Sequence, residues 1–392
     1  MGMNEAPVVL SLAEKIRRDN ETSAQSTTAT QEYFVNMGPQ HPSTHGVLRL
    51  VLKLDGETVR EVIPVLGYIH RGIEKKAEKI GYRQQVHLTD RLDYLCALMN
   101  NWVMSAAVER AMKTELNDRI ETLRTIIAEL QRIQSHLLWW GVFGMDLGAI
   151  TPFFYGFRDR EKITAIFEET MGARLTMNYI QPGGLMFDIH PDFVTGVKRY
   201  LAYLKPVLGE YDDLLSGNII LENRLRGVGI LSAADAIAYG ATGPVLRASG
   251  VEFDLRKSEP YGVYAKVAFD VPIGRAGDCW DRYAVRMREM RESIRIVEQL
   301  IDNVPPGKHM TMKFGAKIRV PEGAYYTQME TARGLFGVFM VADGTERPYR
   351  MHFRTPNFNN LWSLTRIAKN WRVADLVAIL SSIDVVIPDI DR

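Results

Sequence analysis

The sequence predicts an α+β fold in which a mainly helical core lies between an N-terminal β-hairpin and a C-terminal β-hairpin. Each hairpin is indicated by two extended runs that meet at an Asp-Gly pair, a dipeptide typical of tight hairpin turns. Between them, apolar residues recur every three or four positions, which is typical of amphipathic helices. With 392 residues, 46% hydrophobic and 24% charged, the composition is globular and excludes disordered and disulfide-scaffold classes.

Four portions are predicted along the chain. Residues 21–32 are small and polar, which favours a flexible tail, and ordered structure is expected to begin at Tyr33. The portions are a flexible tail at 1–32, a hairpin with its flanking loops at 33–72, a helical core at 73–310 and a C-terminal α/β portion at 311–392.

The first hairpin is expected to bring two polar loops together. Its strands, 47–54 and 57–65, are antiparallel about an Asp-Gly pair. The loops at its open end, 38–46 and 67–72, should therefore lie side by side. These loops carry His41, His45, His70 and Arg71.

The predicted core contains three long helices. Asp118 and Glu121 form a capping-box pattern that marks the start of the first. The second is predicted at 191–216, where Pro206 indicates a kink or break. The third, 280–301, has an apolar seam, and its opposite face is expected either to be solvated or to dock a partner. That face carries Arg282, Arg286, Arg288, Arg291 and Arg295.

The C-terminal portion is predicted to combine strands with short helices. The second hairpin is expected at 335–341 and 347–353, around Asp343-Gly344. Helices are expected near 360–370 and 373–381, which keeps this portion in the α+β class.

Several functional classes are excluded by simple counts. A net charge of +1 gives no electrostatic basis for binding nucleic acid. Cys96 and Cys279 are too few for a disulfide framework, a structural zinc site or an iron–sulfur cluster. A glycine-rich dinucleotide motif at Gly227 is incomplete, since polar residues precede it where a buried strand is required. No stretch reaches about 18 uncharged apolar residues, so any membrane contact is expected to be peripheral.

Three places in the sequence have residue types that can bind a ligand or transfer a proton. The loop 38–46 holds two histidines among prolines and glycines, and it suits a rigid structural loop as well as it suits a binding site. Asp146 interrupts an uncharged stretch, so it requires either an imidazole partner or a role as a helix-end cap. Tyr94 alone is more typical of a core aromatic than of a functional residue.

Several segments, in order from about Tyr33 to Arg392, resemble one family. They include GPQHPSTHGVLRL, HRGIEK, RLDYL, SHLLWWG, TPFFYGFRDRE and RMREMRESI. The family is the D subunit of bacterial NADH:quinone oxidoreductase, known as the 49 kDa subunit in mitochondrial complex I. It is related to the large subunit of nickel–iron hydrogenases, so the resemblance implies a hydrogenase-large-subunit-like fold.

The metal-binding segments of those hydrogenases have altered counterparts here. Asp93 and Cys96 stand at the first pair of thiolate positions, and Val386 and Asp389 stand at the second. One cysteine of four cannot hold a binuclear metal centre, so no metal is expected in this chain.

The resemblance implies that the former metal cavity is a quinone headgroup site. His45 and Tyr94 are then the hydrogen-bond donors to the two quinone carbonyls, and Asp146 pairs with His45. Arg71 corresponds to an arginine near the [4Fe–4S] cluster of a neighbouring subunit. Imidazole and phenol suit this role, because quinone reduction consumes two protons as well as two electrons.

The implied activity is that of a proton-translocating NADH:quinone oxidoreductase, active only in the assembled complex. The chain itself is expected to bind no NAD, flavin or iron–sulfur cluster. Its implied neighbours are the subunits known as B, C, I and H, of which H is embedded in the membrane. The implied location is the cytoplasmic side of a bacterial inner membrane. The alternatives are a scaffold subunit without acid–base function and an energy-converting hydrogenase relative, which the missing cysteines disfavour.

Overall fold

The computed structural model describes residues 32–315 and 317–392, so all but the last residue of the predicted tail lies outside the described residues. Helices dominate the middle of the chain, and a small antiparallel sheet lies toward each end, which confirms the α+β class. One buried apolar core includes Leu50, Leu130 and Phe336, from the N-terminal, helical and C-terminal portions. No helix in the described ranges is long and apolar enough to cross a membrane.

The strands and helices follow in chain order. The first half contains β1 (Glu32–Met37), β2 (Arg49–Asp55), β3 (Thr58–Val65), α1 (Ile73–Ala77), α2 (Gln85–Thr89), α3 (Ala97–Ala111), α4 (Asp118–Asp146), α5 (Thr151–Met171), β4 (Ile180–Gln181) and β5 (Gly184–Leu185). The second half contains α6 (Phe193–Tyr211), α7 (Ile219–Leu225), α8 (Ala233–Ala238), α9 (Gly243–Ala248), α10 (Leu255–Ser258), α11 (Cys279–Ile301), β6 (Gly323–Thr331), β7 (Gly334–Ala342), β8 (Pro348–Arg354), α12 (Pro356–Trp362), α13 (Leu364–Ile367), α14 (Val373–Ile383) and α15 (Ile387–Asp391). The long helices α4, α5 and α11 pack together at the centre, with α4 between the other two.

The N-terminal sheet has three strands rather than two. β2 and β3 form the predicted hairpin, and Gly56 in their turn has a positive φ of 58°. β1 pairs with the other edge of β2 and was not predicted, because most of its side chains are exposed and show no alternation. Arg49 lies opposite Val65, so the two flanking loops leave the same end of the hairpin, as expected.

Two helices differ from the predictions at their ends. α4 is capped by Asn117, whose Oδ1 accepts from the Ile120 N–H at 3.0 Å, whereas Asp118 is already helical. α6 continues through Pro206 without a break and gives way only at a π-helical turn, Asp212–Ser216. A proline removes one backbone hydrogen bond, and the buried apolar face of α6 offsets that loss.

The prediction of a cationic outer face on α11 is wrong for two of its five arginines. Arg282 and Arg286 are fully buried. Arg286 donates to the carbonyls of Ser382 and Ile383 at 2.8 and 2.9 Å, at the end of α14. These guanidinium donors satisfy carbonyls that the end of a helix leaves unpaired. The other three arginines lie nearer the surface and bond to groups of this chain.

The C-terminal sheet also has a third strand. β7 and β8 form the predicted hairpin, and β6, which was not predicted, pairs with the other side of β7. The tight turn between β6 and β7 contains Ala332 and Arg333, and both residues are buried. The expected helices are present as α12 to α14, and α14 contacts the Pro42–Thr44 turn near the start of the chain. The two ends of the described chain thus meet at one place.

Candidate functional site

The loop that carries His41 and His45 has a fixed backbone. Pro42–Thr44 forms a 3₁₀ turn, and the buried Thr44 hydroxyl donates to the His41 carbonyl at 2.7 Å. The His41 ring caps this turn by accepting from a backbone N–H at 3.2 Å. At Gly38, whose φ is +83°, a Cβ would lie 2.1 Å from a backbone oxygen, so only glycine fits. These contacts fix the position of the backbone that leads into His45.

The His45 ring lies against the carboxylate of Asp146, the last residue of α4, although its Nε2 is not aligned for a hydrogen bond with any described residue. The distance from Nε2 to Oδ2 is 3.0 Å, and the two side chains are only 12% and 5% exposed. The same Asp146 oxygen accepts from the Ser381 hydroxyl at 2.6 Å. His45 has a left-handed backbone with φ of 51°, a conformation that is costly for a residue with a Cβ and that clusters at functional sites. The structure therefore joins two of the predicted site residues across about a hundred positions and adds Ser381.

Tyr94 is the exposed residue of an otherwise buried turn. Leu92, Asp93, Leu95 and Cys96 are buried, whereas 37% of Tyr94 is exposed. The Asp93 carboxylate accepts from the Leu95 N–H at 3.1 Å, which closes the turn around Tyr94. Burial and the adjacent Asp93 charge raise the pKa of the Tyr94 phenol, so the hydroxyl stays protonated at neutral pH and can donate.

The segment after α14 adjoins both the His45 loop and the Tyr94 turn. Gly46, next to His45, lies against Ile387, and a Cβ on Gly46 would be 3.8 Å from that side chain. Asp384, at the start of this segment, accepts from Arg333 at 2.8 Å, and the same guanidinium donates to Asp93, next to Tyr94, at 3.1 Å. One short segment of the chain thus borders both candidate donors.

A buried arginine lies beneath the Tyr94 turn. Arg333 Nη1 donates to the two carboxylate oxygens of Asp93 at 3.1 and 3.3 Å and to the Ser135 hydroxyl at 2.9 Å. Its Nη2 donates to Asp384 Oδ1 at 2.8 Å. Sequence reasoning missed Arg333, because an arginine in a hairpin turn normally points to solvent and no local pattern distinguishes this one.

The cluster around Arg333 does not fit a metal ion. Burial and the neighbouring Asp93 charge raise the pKa of the Cys96 thiol. The Arg333 cation lies 3.6 Å from the Cys96 sulfur, and Val386 offers no ligand atom. In the part of the chain that the structure describes, no three His, Cys, Asp or Glu residues are grouped so as to hold a metal ion.

Arg71 and His70 belong to a loop that is tied to the last helix. Two backbone N–H groups of this loop donate to the Asp391 carboxylate at 2.9 Å each, and His70 Nδ1 donates to the Asp391 carbonyl at 2.6 Å. Arg71 Nη2 donates to the Arg91 carbonyl at 2.7 Å, while its Nε finds no acceptor within 32–315 and 317–392. His70 therefore has a partner of its own, and it does not share the partner of His45.

Comparison with known proteins gives a consistent result. The chain matches the family described as "Respiratory-chain NADH dehydrogenase, 49 Kd subunit" over residues 146–316 and 311–392. It is 51% identical over 362 residues to the C/D subunit of NADH-quinone oxidoreductase from Bacteroides thetaiotaomicron, which covers 92% of this chain and 68% of that protein. It is 47% identical over 365 residues to the D subunit of NADH-quinone oxidoreductase from Desulforamulus reducens, covering 93% and 100% of the two chains. The D subunit from Bacillus mycoides is 46% identical over 362 residues, covering 92% and 99%.

Proposed function

The chain belongs to the 49 kDa subunit family of respiratory-chain NADH dehydrogenase, and we propose that it holds the quinone headgroup in a proton-translocating NADH:quinone oxidoreductase. The observation that carries this proposal is the close approach of the His45 ring to the Asp146 carboxylate, 3.0 Å from Nε2 to Oδ2. It joins a backbone-strained loop to the end of the longest helix, next to a segment that also borders Tyr94. We further propose that the fold is that of the nickel–iron hydrogenase large subunit, with the quinone in place of the metal.

The proposed site supplies one donor for each quinone carbonyl. His45 donates to one oxygen and Tyr94 to the other, while Asp146 and the Ser381 hydroxyl hold the imidazole in place. A [4Fe–4S] cluster in a neighbouring subunit would supply two electrons, and with two protons the quinone would become the quinol. The raised pKa of Tyr94 favours this role, because the phenol keeps its proton until a strongly basic reduced-quinone oxygen is present.

The proposed neighbours are the subunits known as B, C, I and H, of which H is embedded in the membrane. The name of the Bacteroides thetaiotaomicron relative joins C and D in one chain, which supports the C subunit as a neighbour. We propose that the half-buried Arg71 lies near the cluster-bearing subunit. We place the chain as a peripheral subunit on the cytoplasmic side of a bacterial inner membrane, active only in the assembled complex and without NAD, flavin or iron–sulfur cluster of its own.

The test compares Tyr94→Phe with Tyr326→Phe in membranes that carry the assembled complex. Tyr326 is a matched control, because it is 42% exposed and burial raises its pKa as well, but it lies on β6 outside the proposed site. NADH oxidation is measured with decylubiquinone and, separately, with ruthenium hexaammine as an artificial acceptor that takes electrons upstream of the quinone.

Tyr94→Phe is expected to lower the quinone-dependent rate by at least about tenfold while the upstream rate and the amount of complex persist. Tyr326→Phe is expected to leave both rates unchanged. If Tyr94→Phe retains the quinone-dependent rate, the headgroup is held elsewhere and the scaffold alternative is favoured.

A further inference from the structure

We propose that Arg333 is a positioning residue for the quinone, because its guanidinium clamps the Tyr94 turn to the segment that borders the His45 loop. The inference rests on the proposed function, since it concerns the geometry of that same site. Arg333 is 1% exposed and lies in the turn between β6 and β7, so its side chain reaches the site from a third part of the chain.

On one side, the clamp fixes both neighbours of Tyr94. Arg333 Nη1 bonds to the Asp93 carboxylate at 3.1 and 3.3 Å, and the same carboxylate holds the Leu95 N–H at 3.1 Å. Nη1 also bonds to Ser135 on α4 at 2.9 Å, which ties the turn to the helix that ends in Asp146. The backbone on either side of Tyr94 is thereby held, and its side chain is directed outward.

On the other side, the clamp holds the residue that follows α14. Arg333 Nη2 bonds to Asp384 Oδ1 at 2.8 Å, and Nε bonds to the Asp384 carbonyl at 3.0 Å. Asp384 has a left-handed backbone with φ of 60°, a conformation that needs support from its surroundings. Three positions later, Ile387 lies against Gly46, next to His45. The guanidinium is thus the shared link between the two sides of the proposed site.

The rigid shape of a quinone makes the relative position of the two donors important. The two carbonyl oxygens are a fixed distance apart across a rigid ring, so both donors bind well only at one separation. A change of about 1 Å in the position of one donor can lower a rate by as much as about 100-fold. A lysine cannot replace the clamp, because a single ammonium group lacks the planar arrangement of donors that reaches Asp93, Ser135 and Asp384 together.

The experiment measures KM and kcat for decylubiquinone, and the upstream ruthenium hexaammine rate, in the assembled complex. The variants are Arg333→Lys and Arg333→Gln. The matched control is Arg124→Lys, since Arg124 is equally buried and bridges Glu109, at 2.7 and 2.9 Å, to two backbone carbonyls far along the chain.

Arg333→Lys is expected to raise KM for decylubiquinone about tenfold, and Arg333→Gln more, with the upstream rate per assembled complex unchanged. Arg124→Lys is expected to leave KM unchanged. If Arg333→Gln does not assemble, Arg333→Lys decides; if neither assembles, Ser135→Ala decides, with an expected rise in KM of about threefold.

The proposal is overturned if KM stays at the wild-type value, if quinone-dependent and upstream rates fall in equal proportion, or if Arg124→Lys raises KM as much. Failure of the proposed function is recognised separately. A loss of quinone reduction in Tyr94→Phe together with wild-type KM in the Arg333 variants contradicts the clamp alone, whereas an unaffected Tyr94→Phe contradicts the quinone site itself.

Discussion

Two clusters of buried charge in this chain differ in how their carboxyl groups are paired. The core ion network, between the helices, consists of Arg132, Arg247, Arg256, Glu129, Asp254, Glu289 and Glu330. The Tyr94 cluster, beneath the candidate site, consists of Arg333, Asp93, Asp384 and Asp389. Every carboxyl of the core ion network has an arginine within ion-pair distance, whereas Asp389 of the Tyr94 cluster has none among the described residues.

In the core ion network the arginines keep the carboxylates charged. Burial alone would raise the pKa of Glu129, but Arg132 and Arg256 lower it to about 2. Burial raises the pKa of Glu330, whose Oε2 lacks a partner among the described residues, although its Oε1 accepts from Arg247 at 2.7 Å. The shared arginines suit a structural role in holding the helices together.

The Tyr94 cluster leaves one acid near its titration point. Burial and the neighbouring Asp93 charge raise the pKa of Asp389 to about 7, and Asn357 donates to its carboxyl at 2.7 Å. The two clusters therefore differ in how their carboxyls are paired. Each carboxyl of the core ion network has an arginine partner, whereas Asp389 has none among the described residues and its pKa is raised.

Breaking the core ion network has the largest expected effect on stability. Glu289→Gln removes the carboxylate that accepts from Arg247 at 2.6 and 3.0 Å and contacts His136 at 2.9 Å, all fully buried. A buried pair that loses one partner leaves an uncompensated charge, so the free energy of unfolding should fall by about 3–5 kcal/mol. The change in the free energy of unfolding is measured by urea unfolding of the full chain. Arg295→Gln, on the exposed side of the same helix, should leave the midpoint unchanged, and an equal shift in both would contradict the distinction.

Much of this fold follows local patterns that the sequence displays. Both hairpins and the long helices α4, α6 and α11 were predicted from alternation, from the Asp-Gly pairs and from helical periodicity, whereas α5 was not predicted. β1 was missed because an edge strand with exposed side chains shows no buried face. Arg286 was misassigned because its partners are carbonyls about a hundred residues away, and local periodicity cannot report an acceptor at that distance.

The candidate site, too, contains some residues that the sequence indicated and others that it did not. Composition alone identified the His45 loop and the isolated charge of Asp146 but left open what each does, and the resemblance supplied the pairing that the structure displays. Arg333 and Ser381 carried no signal at all. Each acts on residues far away in the sequence, so only the folded chain reveals it.

Replacing the Asp389 carboxyl by an amide tests the other half of the comparison, the Tyr94 cluster. The pKa of Asp389 is raised from 3.8 to about 7, so in this range the folded chain binds more protons than the unfolded chain does. Its contribution to stability is therefore complete below about pH 3.8 and is lost as the pH rises through about 7. Asp389→Asn should match the wild type at pH 4 and exceed it in urea midpoint at pH 8, while Asp213→Asn, at an exposed position, should show no such divergence.

The smallest expected effect lies at the edge of the site, where one hydroxyl supports a carboxylate. Ser381→Ala removes the 2.6 Å bond to Asp146 but leaves the His45 pair, so the quinone-dependent rate should fall by about fivefold or less, which corresponds to about 1 kcal/mol for one hydrogen bond. Ser382→Ala is the matched control, because Ser382 is equally buried on α14 and bonds to Arg282 instead. A similar loss in both variants would assign the effect to packing of α14. A loss confined to Ser381→Ala would show that the candidate site depends on individual hydrogen bonds. In the core ion network, by contrast, most side chains have several charged partners.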